Sequence, residues 1–368
     1  MAVRSVMMKP VSGACNLRCR YCFYADEIEN RQVALHGAMT EQTLEAIVKK
    51  TLEQADGPCS FGFQGGEPTL AGLGFFQRLI ELENVHNRRN LPISHMLQTN
   101  GLLLDEKWAA FLKEHGFLVG LSLDGPRDLH DANRVSAEGN GTFDRVMAAA
   151  KLLQKTGTEF NVLTVVNRQN ARHAKEIYRF FMEQGFVYQQ YIPCLDRLGR
   201  ERGSDPWSLT PEDYGIFLSD LFDVWYEDRK RGTFVYIRDF ENLAGMLMGY
   251  PPERCGMTGS CMNQCVAEAN GEIYPCDFYM LDDYRLGDLR TEDWQQIGER
   301  FLQSGFLWES RMGVEECRDC RWYRLCRGGC RRDRQLIALH EVGKNHYCET
   351  MQAFYDAAVP RFRNICGI

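Results

Sequence analysis

The stretch Cys15-Asn16-Leu17-Arg18-Cys19-Arg20-Tyr21-Cys22 constrains this chain more than any other, because it sets three thiols at C-x3-C-x2-C just after the first apolar run. An iron–sulfur cube has four irons, so three close thiolates leave one iron without a protein ligand and open to a substrate or cofactor. A three-thiol zinc site or a redox pair would use the same C-x2-C, and the loop by itself leaves those open. The chain holds 15 cysteines. Cys15, Cys19 and Cys22 stand at the start, nine more crowd between Cys255 and Cys348, and Cys366 follows; only Cys59 and Cys194 lie in the wide gap. The start lacks a basic segment followed by a long apolar run, and no stretch reaches the ~20 apolar residues that a membrane span needs. The expectation is a soluble, cytoplasmic protein whose cysteines bind metal instead of pairing as disulfides. A net charge of -7 gives no electrostatic footing for nucleic acid or an anionic membrane.

At 368 residues and 44% hydrophobic, the chain has material for about two domains. Strand-like runs at residues 5–9, 60–64, 93–98, 118–123, 160–166 and 187–192 alternate with helix-period segments, among them one in which Leu44, Ile47, Val48, Thr51 and Leu52 share a face. Further helices are predicted over residues 73–83, 106–114, 143–153 and 174–182. Six strands each followed by a helix predict a parallel sheet with right-handed crossovers. Periodicity does not decide whether it closes partly into a (β/α)6 barrel or stays open and doubly wound. Such folds place chemistry at the carboxyl ends of their strands. There the first strand runs into the cysteine loop, the second ends in Gln64-Gly65-Gly66-Glu67-Pro68, the third in Gln98-Thr99-Asn100-Gly101 and the fourth in Ser122-Leu123-Asp124-Gly125. Any one of these also reads as an ordinary βα turn. Residues 196–207 are polar and charged, a surface or mobile segment near the active-site mouth. Thr210-Pro211-Glu212-Asp213 then opens a helix, with Thr as N-cap, Pro in the first turn and acids at the positive helix end.

The last third carries Cys261, Gly271, Cys276, Cys317, Cys320, Cys326, Cys330 and Cys348 in the spacing C-x9-G-x4-C, a gap, C-x2-C-x5-C-x3-C, a gap, C. With Cys255 this makes eight thiolates, enough for two fully ligated four-iron clusters; a pair of zinc-ribbon-like sites is the alternative. Residues 266–274 read as a hairpin turning at Asn270-Gly271, which would bring Cys261 and Cys276 together. Asp277 follows Cys276 among aromatics. It suits either a general base strengthened by partial desolvation or a structural acid bonded to backbone amides.

These motifs resemble known families. The cysteine loop and Gly65-Gly66-Glu67-Pro68 resemble the radical S-adenosylmethionine (SAM) enzymes, and the late cysteines resemble the SPASM domain appended to some of them. Cys22-Phe23-Tyr24, residues 63–72, Leu97-Gln98-Thr99-Asn100-Gly101 and the segment around Asp277 together look like the anaerobic sulfatase-maturating enzymes. The resemblance runs from the first strand to Cys348. It implies a partial (β/α)6 radical-SAM barrel over residues 1–235 and a SPASM domain over 236–368. It implies three 4Fe-4S clusters and SAM as cofactors. Cys15, Cys19 and Cys22 would hold the SAM-binding cluster; Cys255, Cys261, Cys276 and Cys330 the first auxiliary one; and Cys317, Cys320, Cys326 and Cys348 the second. Gly65, Gly66 and Glu67 would hold the methionine amine of SAM, Ser122 and Arg134 its carboxylate, and Leu195 would touch the adenosine. Tyr24 and Gln64 join them at the SAM and substrate pocket, where a core aromatic and a strand-end amide are the plainer readings.

The implied reaction converts an active-site Cys or Ser of a sulfatase, in a Cys/Ser-x-Pro/Ala-x-Arg motif, to Cα-formylglycine by hydrogen-atom abstraction from Cβ, with Asp277 as base. Flavodoxin or ferredoxin is the implied electron donor. Two other readings share features with this one: a SPASM maturase that crosslinks a ribosomal peptide, and a non-catalytic multi-cluster electron carrier. The first lacks its usual N-terminal peptide-recognition domain here, and the second would not bind SAM.

Overall fold

The computed structural model describes residues 5–368. Its strands are β1 (Ser5–Met8), β2 (Cys59–Phe63), β3 (Ile93–Thr99), β4 (Phe117–Ser122), β5 (Phe160–Val166), β6 (Tyr188–Pro193), β7 (Tyr236–Ile237), β8 (Val266–Ala267), β9 (Glu272–Tyr274) and β10 (Gly287–Asp288). The helices are α1 (Phe23–Glu29), α2 (Glu41–Gln54), α3 (Leu73–His86), α4 (Glu106–Glu114), α5 (Arg127–Asp131), α6 (Phe143–Thr156) and α7 (Ala174–Glu183). They continue with α8 (Pro211–Lys230), α9 (Arg238–Leu247), α10 (Trp294–Gln303), α11 (Gly305–Glu309), α12 (Tyr323–Cys326), α13 (Arg331–Arg334) and α14 (Cys348–Cys366). Two compact units emerge. One holds the chain up to Ser122 with Val135–Phe160 and Met262–Phe306; the other holds Leu123–Arg134, Asn161–Cys261 and Leu307–Ile368.

In the first unit the strands lie in the order β10-β9-β8-β1-β2-β3-β4. β1 to β4 are parallel, with Val6 opposite Phe61, Phe61 opposite His95 and Leu97 opposite Val119. The apolar runs form strands because Val6, Met8, Phe61, Phe63, Leu97, Val119 and Leu121 all find buried places. Leu44, Ile47, Val48, Thr51 and Leu52 form the buried stripe of α2, as their spacing predicts, and Thr40 caps that helix by accepting from the Thr43 N–H. Phe76 of α3 meets the rings of Phe63 and Trp108, which joins α3 and α4 to the sheet. The hairpin predicted at Asn270-Gly271 is present, with β8 and β9 antiparallel and Gly271 at φ 90°. Its place in the sheet is not readable from its own sequence. β8 pairs parallel with β1, Met7 opposite Val266, so the hairpin leading to Cys276 and Asp277 lies beside the strand leading to the cysteine loop.

In the second unit β5, β6 and β7 are parallel, with Val166 opposite Pro193 and Gln189 opposite Ile237. The short β7 and α9 were not anticipated. α8 begins as predicted, Thr210 accepting from the Asp213 N–H and Pro211 in the first turn, and it packs on α7 and α14. Phe222 and Trp225 of α8 cluster with Phe240 and Phe362. The charged segment 196–207 departs from expectation: it is tied down. Asp196, Asp205 and Ser208 are buried, the Ser208 hydroxyl donates to the Asp196 carboxylate, and Arg202 donates to the carbonyls of Arg332 and Gln335 at 2.7 and 3.2 Å. A run of charges reads as solvated when each charge is counted alone. Here the acids accept bonds from the segment's own turns.

Candidate active site

Within the first unit the carboxyl ends of β1, β2, β3 and β4 gather the motifs singled out above. The cysteine loop after β1 is braced at several points. Leu17 forms a bridge with Ser136, the Arg18 N–H donates to the Val135 carbonyl at 2.8 Å, and the Arg18 guanidinium donates to the carbonyls of Cys15 and Leu17. Asn100, at the end of β3, donates to Asn16 Oδ1 at 2.8 Å. Gly66 explains the Gly-Gly pair: its φ is 56°, and a Cβ there would stand 2.3 Å from the Ala14 carbonyl oxygen. Only glycine lets the loop after β2 lie this close to the cysteine loop, and the Glu67 N–H donates to that same oxygen at 2.8 Å.

Glu67 is buried and its carboxylate is fully engaged. It accepts from the Thr69 N–H and hydroxyl, the Thr99 hydroxyl at 2.7 Å and the Asn100 N–H at 2.7 Å. Burial still raises its pKa, against these bonds. The side chain therefore ties the end of β2 to the end of β3, and what this segment presents outward is main chain.

Asp277 is 3% exposed. Its Oδ2 accepts from the Tyr24 hydroxyl at 2.7 Å and the Gln64 amide at 2.8 Å, while Gln64 also donates to the Tyr24 oxygen at 2.9 Å. Oδ1 lies 2.8 Å from Lys9 Nζ yet has no directed hydrogen bond among the described residues. Lys9 also sits over the Tyr24 ring, 3.9 Å from its centre. The Tyr24 hydroxyl is held well above its ordinary pKa by burial and by the Asp277 charge, so it serves as a donor. Glu27 of α1 is buried as well; burial pushes its carboxyl up to about 8 despite the pull of Lys9, and it accepts from the Met280 N–H at 3.1 Å. Sequence reasoning named Asp277, Tyr24 and Gln64 but missed Lys9 and Glu27. The available signal was a lone lysine closing an apolar strand at its carboxyl end.

Ser122, ending β4, accepts from the Gln98 amide at 3.1 Å. Arg134 belongs to the second unit, where it is buried and pairs with Asp124 at 3.1 Å. Leu195, past β6, is half-buried in the second unit. Cys317, Cys320, Cys326 and Cys348 line one cavity with Trp322 and Tyr355. Burial pushes Cys326 up to about 11, with the charges of the other three thiols adding to it. Cys15 is likewise pushed up to about 11, by burial first and then by Glu67 and Cys22. Cys330, close to Cys255 and Cys261, reaches about 12, again chiefly through burial. Cys276 lies in the first unit. Buried thiols that oppose one another's ionisation are ligands suited to a shared cation, since coordination deprotonates a thiol outright. Among the described residues, no three His, Cys, Asp or Glu side chains close on the spacing of a single ion. Four thiols around one cavity fit a four-iron cluster.

Comparison with known proteins agrees with this geometry. Residues 10–181 match the radical SAM superfamily, and residues 259–321 match the SPASM iron-sulfur cluster-binding domain. The chain is 47% identical over 363 residues to a cysteine-type anaerobic sulfatase-maturating enzyme of Clostridium perfringens (strain 13 / Type A), covering 99% of this chain and 98% of the relative. It is 30% identical to a serine-type anaerobic sulfatase-maturating enzyme of Bacteroides thetaiotaomicron, covering 96% and 89%. A solved structure of native anSMEcpe with bound AdoMet and Cp18Cys peptide superposes with a TM-score of 0.93 at 45% identity, over 99% of this chain and 98% of that one. Matched over almost its whole length at such identity, the chain belongs to the anaerobic sulfatase-maturating enzymes, with the α/β radical-SAM and SPASM fold that its motifs led us to expect.

Proposed function

We propose that this enzyme oxidises an active-site cysteine of a sulfatase to Cα-formylglycine. The observation that carries the reading is the buried Asp277 carboxylate, fixed by Tyr24 and Gln64 on one oxygen and facing Lys9 with the other. Cysteine is favoured over serine as the target because the cysteine-type relatives stand at 41–47% identity and the serine-type ones at 29–30%. Cys15, Cys19 and Cys22 would hold the SAM-binding cluster, and the main chain of Gly65, Gly66 and Glu67 would take the methionine amine. Ser122 and Arg134 would serve its carboxylate and Leu195 its adenosine. When bound, the cluster and SAM supply one-electron cleavage of the sulfonium and a carbon radical that takes a hydrogen atom from the substrate Cβ.

Asp277 accepts the thiol proton. Oδ1 is the receiving atom, since Oδ2 already accepts two bonds and Oδ1 keeps lone-pair capacity. Loss of one hydrogen atom, one proton and one electron from the Cβ–SH group leaves a thioaldehyde, and water then replaces sulfur with release of sulfide. Cys255, Cys261, Cys276 and Cys330 would hold a cluster able to accept that electron; Cys317, Cys320, Cys326 and Cys348 would hold a second. The substrate segment, of the form Cys-x-Pro/Ala-x-Arg, would enter extended and offer its backbone for hydrogen bonding. Flavodoxin or ferredoxin would donate electrons. We place the enzyme in the cytoplasm, where thiols stay reduced, in keeping with 15 cysteines none of which is paired in a disulfide; no described helix is long and apolar enough to cross a membrane.

The test is anaerobic incubation of reconstituted protein with SAM, a reductant and a Cys-x-Pro-x-Arg peptide, followed by mass spectrometry. An aldehyde product that disappears in Cys15→Ala supports the reading, whereas 5′-deoxyadenosine with unchanged peptide points to a crosslinking maturase. Asp277→Asn should keep SAM cleavage and lose at least 100-fold in aldehyde yield, on the order of a missing general base. An unaffected yield would remove Asp277 from the role.

A further inference from the structure

Around the short helix α13, which follows Cys330, three arginines are buried: Arg331, Arg332 and Arg334. Arg331 pairs with the Glu309 carboxylate, and Arg332 donates to the Asp196 carbonyl. Arg334 is different. It is 3% exposed, its two terminal nitrogens donate to the carbonyls of Met312 and Ser310, and no carboxylate pairs with it among the described residues. A buried guanidinium costs several kcal/mol of desolvation unless negative charge lies near. Carbonyl dipoles supply part of that compensation. The thiols of Cys261, Cys330 and Cys317 lie within its electrostatic reach, and they become negative when they ligate iron. The link is also covalent and hydrogen-bonded. Arg334 stands four residues beyond Cys330, and Ser310, whose carbonyl it holds, accepts from the Cys261 N–H through its hydroxyl at 3.0 Å.

We propose that Arg334 is a fixed counter-charge shared by the two auxiliary cluster sites, raising the reduction potential of what is bound there, most of all on the Cys261 and Cys330 side. The proposal rests on the cluster assignment above. A four-iron cluster held by four thiolates is anionic in both oxidation states and gains one more negative charge on reduction. A buried cation beside it therefore favours the reduced form, the more so because the interior screens weakly. Arg331 also reaches the Cys261 thiol, but its charge is paired with the Glu309 carboxylate, whereas that of Arg334 is not paired with a carboxylate among the described residues. Functionally, Arg334 is a positioning residue in the electrostatic sense: it makes the auxiliary site a better acceptor for the electron that leaves the substrate.

The test is a potentiometric titration of anaerobically reconstituted holoenzyme followed by electron paramagnetic resonance, for the parent, Arg334→Gln and Arg334→Lys. Iron and sulfide are counted in each sample first. At a fixed applied potential, Arg334→Gln should lower the ratio of reduced to oxidised cluster about tenfold at the first auxiliary site, a shift of about 59 mV for a one-electron couple. The shift at the second site should be smaller, and Arg334→Lys should restore most of both. Fully loaded Arg334→Gln with both ratios within about twofold of the parent overturns the proposal. If Arg334→Gln does not load, Arg334→Lys decides: full loading with parental ratios supports the counter-charge, and failure to load assigns Arg334 to shape alone and overturns it. A parent protein with iron for only one cluster instead sinks the cluster assignment, a separate failure.

Discussion

Lys9 directly follows β1, with its ammonium 2.8 Å from Asp277 Oδ1, and both side chains are almost wholly buried. Removing one member of a buried pair leaves the other uncompensated, at a cost of about 3–5 kcal/mol. In Lys9→Met the Asp277 carboxylate loses the ammonium that faces Oδ1, so neither its charge nor its orientation is held for the incoming thiol. Aldehyde formation should fall at least tenfold while 5′-deoxyadenosine is still made, so the amount of 5′-deoxyadenosine per aldehyde, read by liquid chromatography and mass spectrometry, rises. Glu27 makes a prediction about stability. Its carboxyl ionises at about 8 in the folded protein against 4.5 ordinarily. Between those values the folded state holds a proton that the unfolded state has lost, so this group's contribution to stability falls as pH rises through the window. Glu27→Gln is neutral throughout. Its melting temperature relative to the parent should therefore climb from about pH 5 to about pH 8 in thermal unfolding; a flat difference would mean that Glu27 ionises at its ordinary value. Asp277 could be singled out in the sequence because it follows Cys276, one of the thiols the SPASM-like spacing contains. Lys9 carried only the weak signal of a lone lysine after an apolar strand and Glu27 carried none, since nothing local says that the two face the same carboxylate.

At the scale of elements, hydrophobic period carried the reading far: all six predicted strands lie within one residue of their observed limits, and the predicted helices run at most three residues longer. The β8–β9 hairpin was legible from Asn270-Gly271, but its docking was not. Pairing Met7 with Val266 depends on side chains distant in sequence meeting in one core, where Val266, Tyr274 and Met280 pack with Met7. Turn chemistry gives two tests. Gly66→Ala forces a Cβ to 2.3 Å from the Ala14 oxygen at a positive φ, so the loop after β2 must move away from the cysteine loop. SAM affinity, measured by equilibrium binding to the reconstituted protein, should drop at least tenfold, with a loss of stability of roughly 1–3 kcal/mol for the strained backbone. Thr210→Ala removes the acceptor for the Asp213 N–H and should cost about 1 kcal/mol in denaturant unfolding, with SAM cleavage unchanged.

For the whole molecule, the eleven assigned cysteines amount to three ligand sets, so reconstituted protein should contain about twelve irons per chain and Cys15→Ala about eight. Chelating the iron should lower the melting temperature, because clusters that bind only the folded chain stabilise it by mass action. Chemical analysis and thermal unfolding under argon check both. By itself the sequence determined the local donor chemistry, three thiols in one loop at Cys15, Cys19 and Cys22 and four more within residues 317–330, because ligands a few residues apart are brought together by covalent spacing; the sorting of the eight late thiols into two sets is what the family resemblance implies. Only the tertiary structure decided how the charges face one another. It set Lys9 against Asp277, engaged the Glu67 carboxylate with Thr69, Thr99 and Asn100, and buried Arg134 against Asp124 and Arg334 with no carboxylate partner among the described residues. Those partnerships follow from which buried surfaces pack together, and burial and Coulomb energy depend on distances in space that spacing along the chain does not encode.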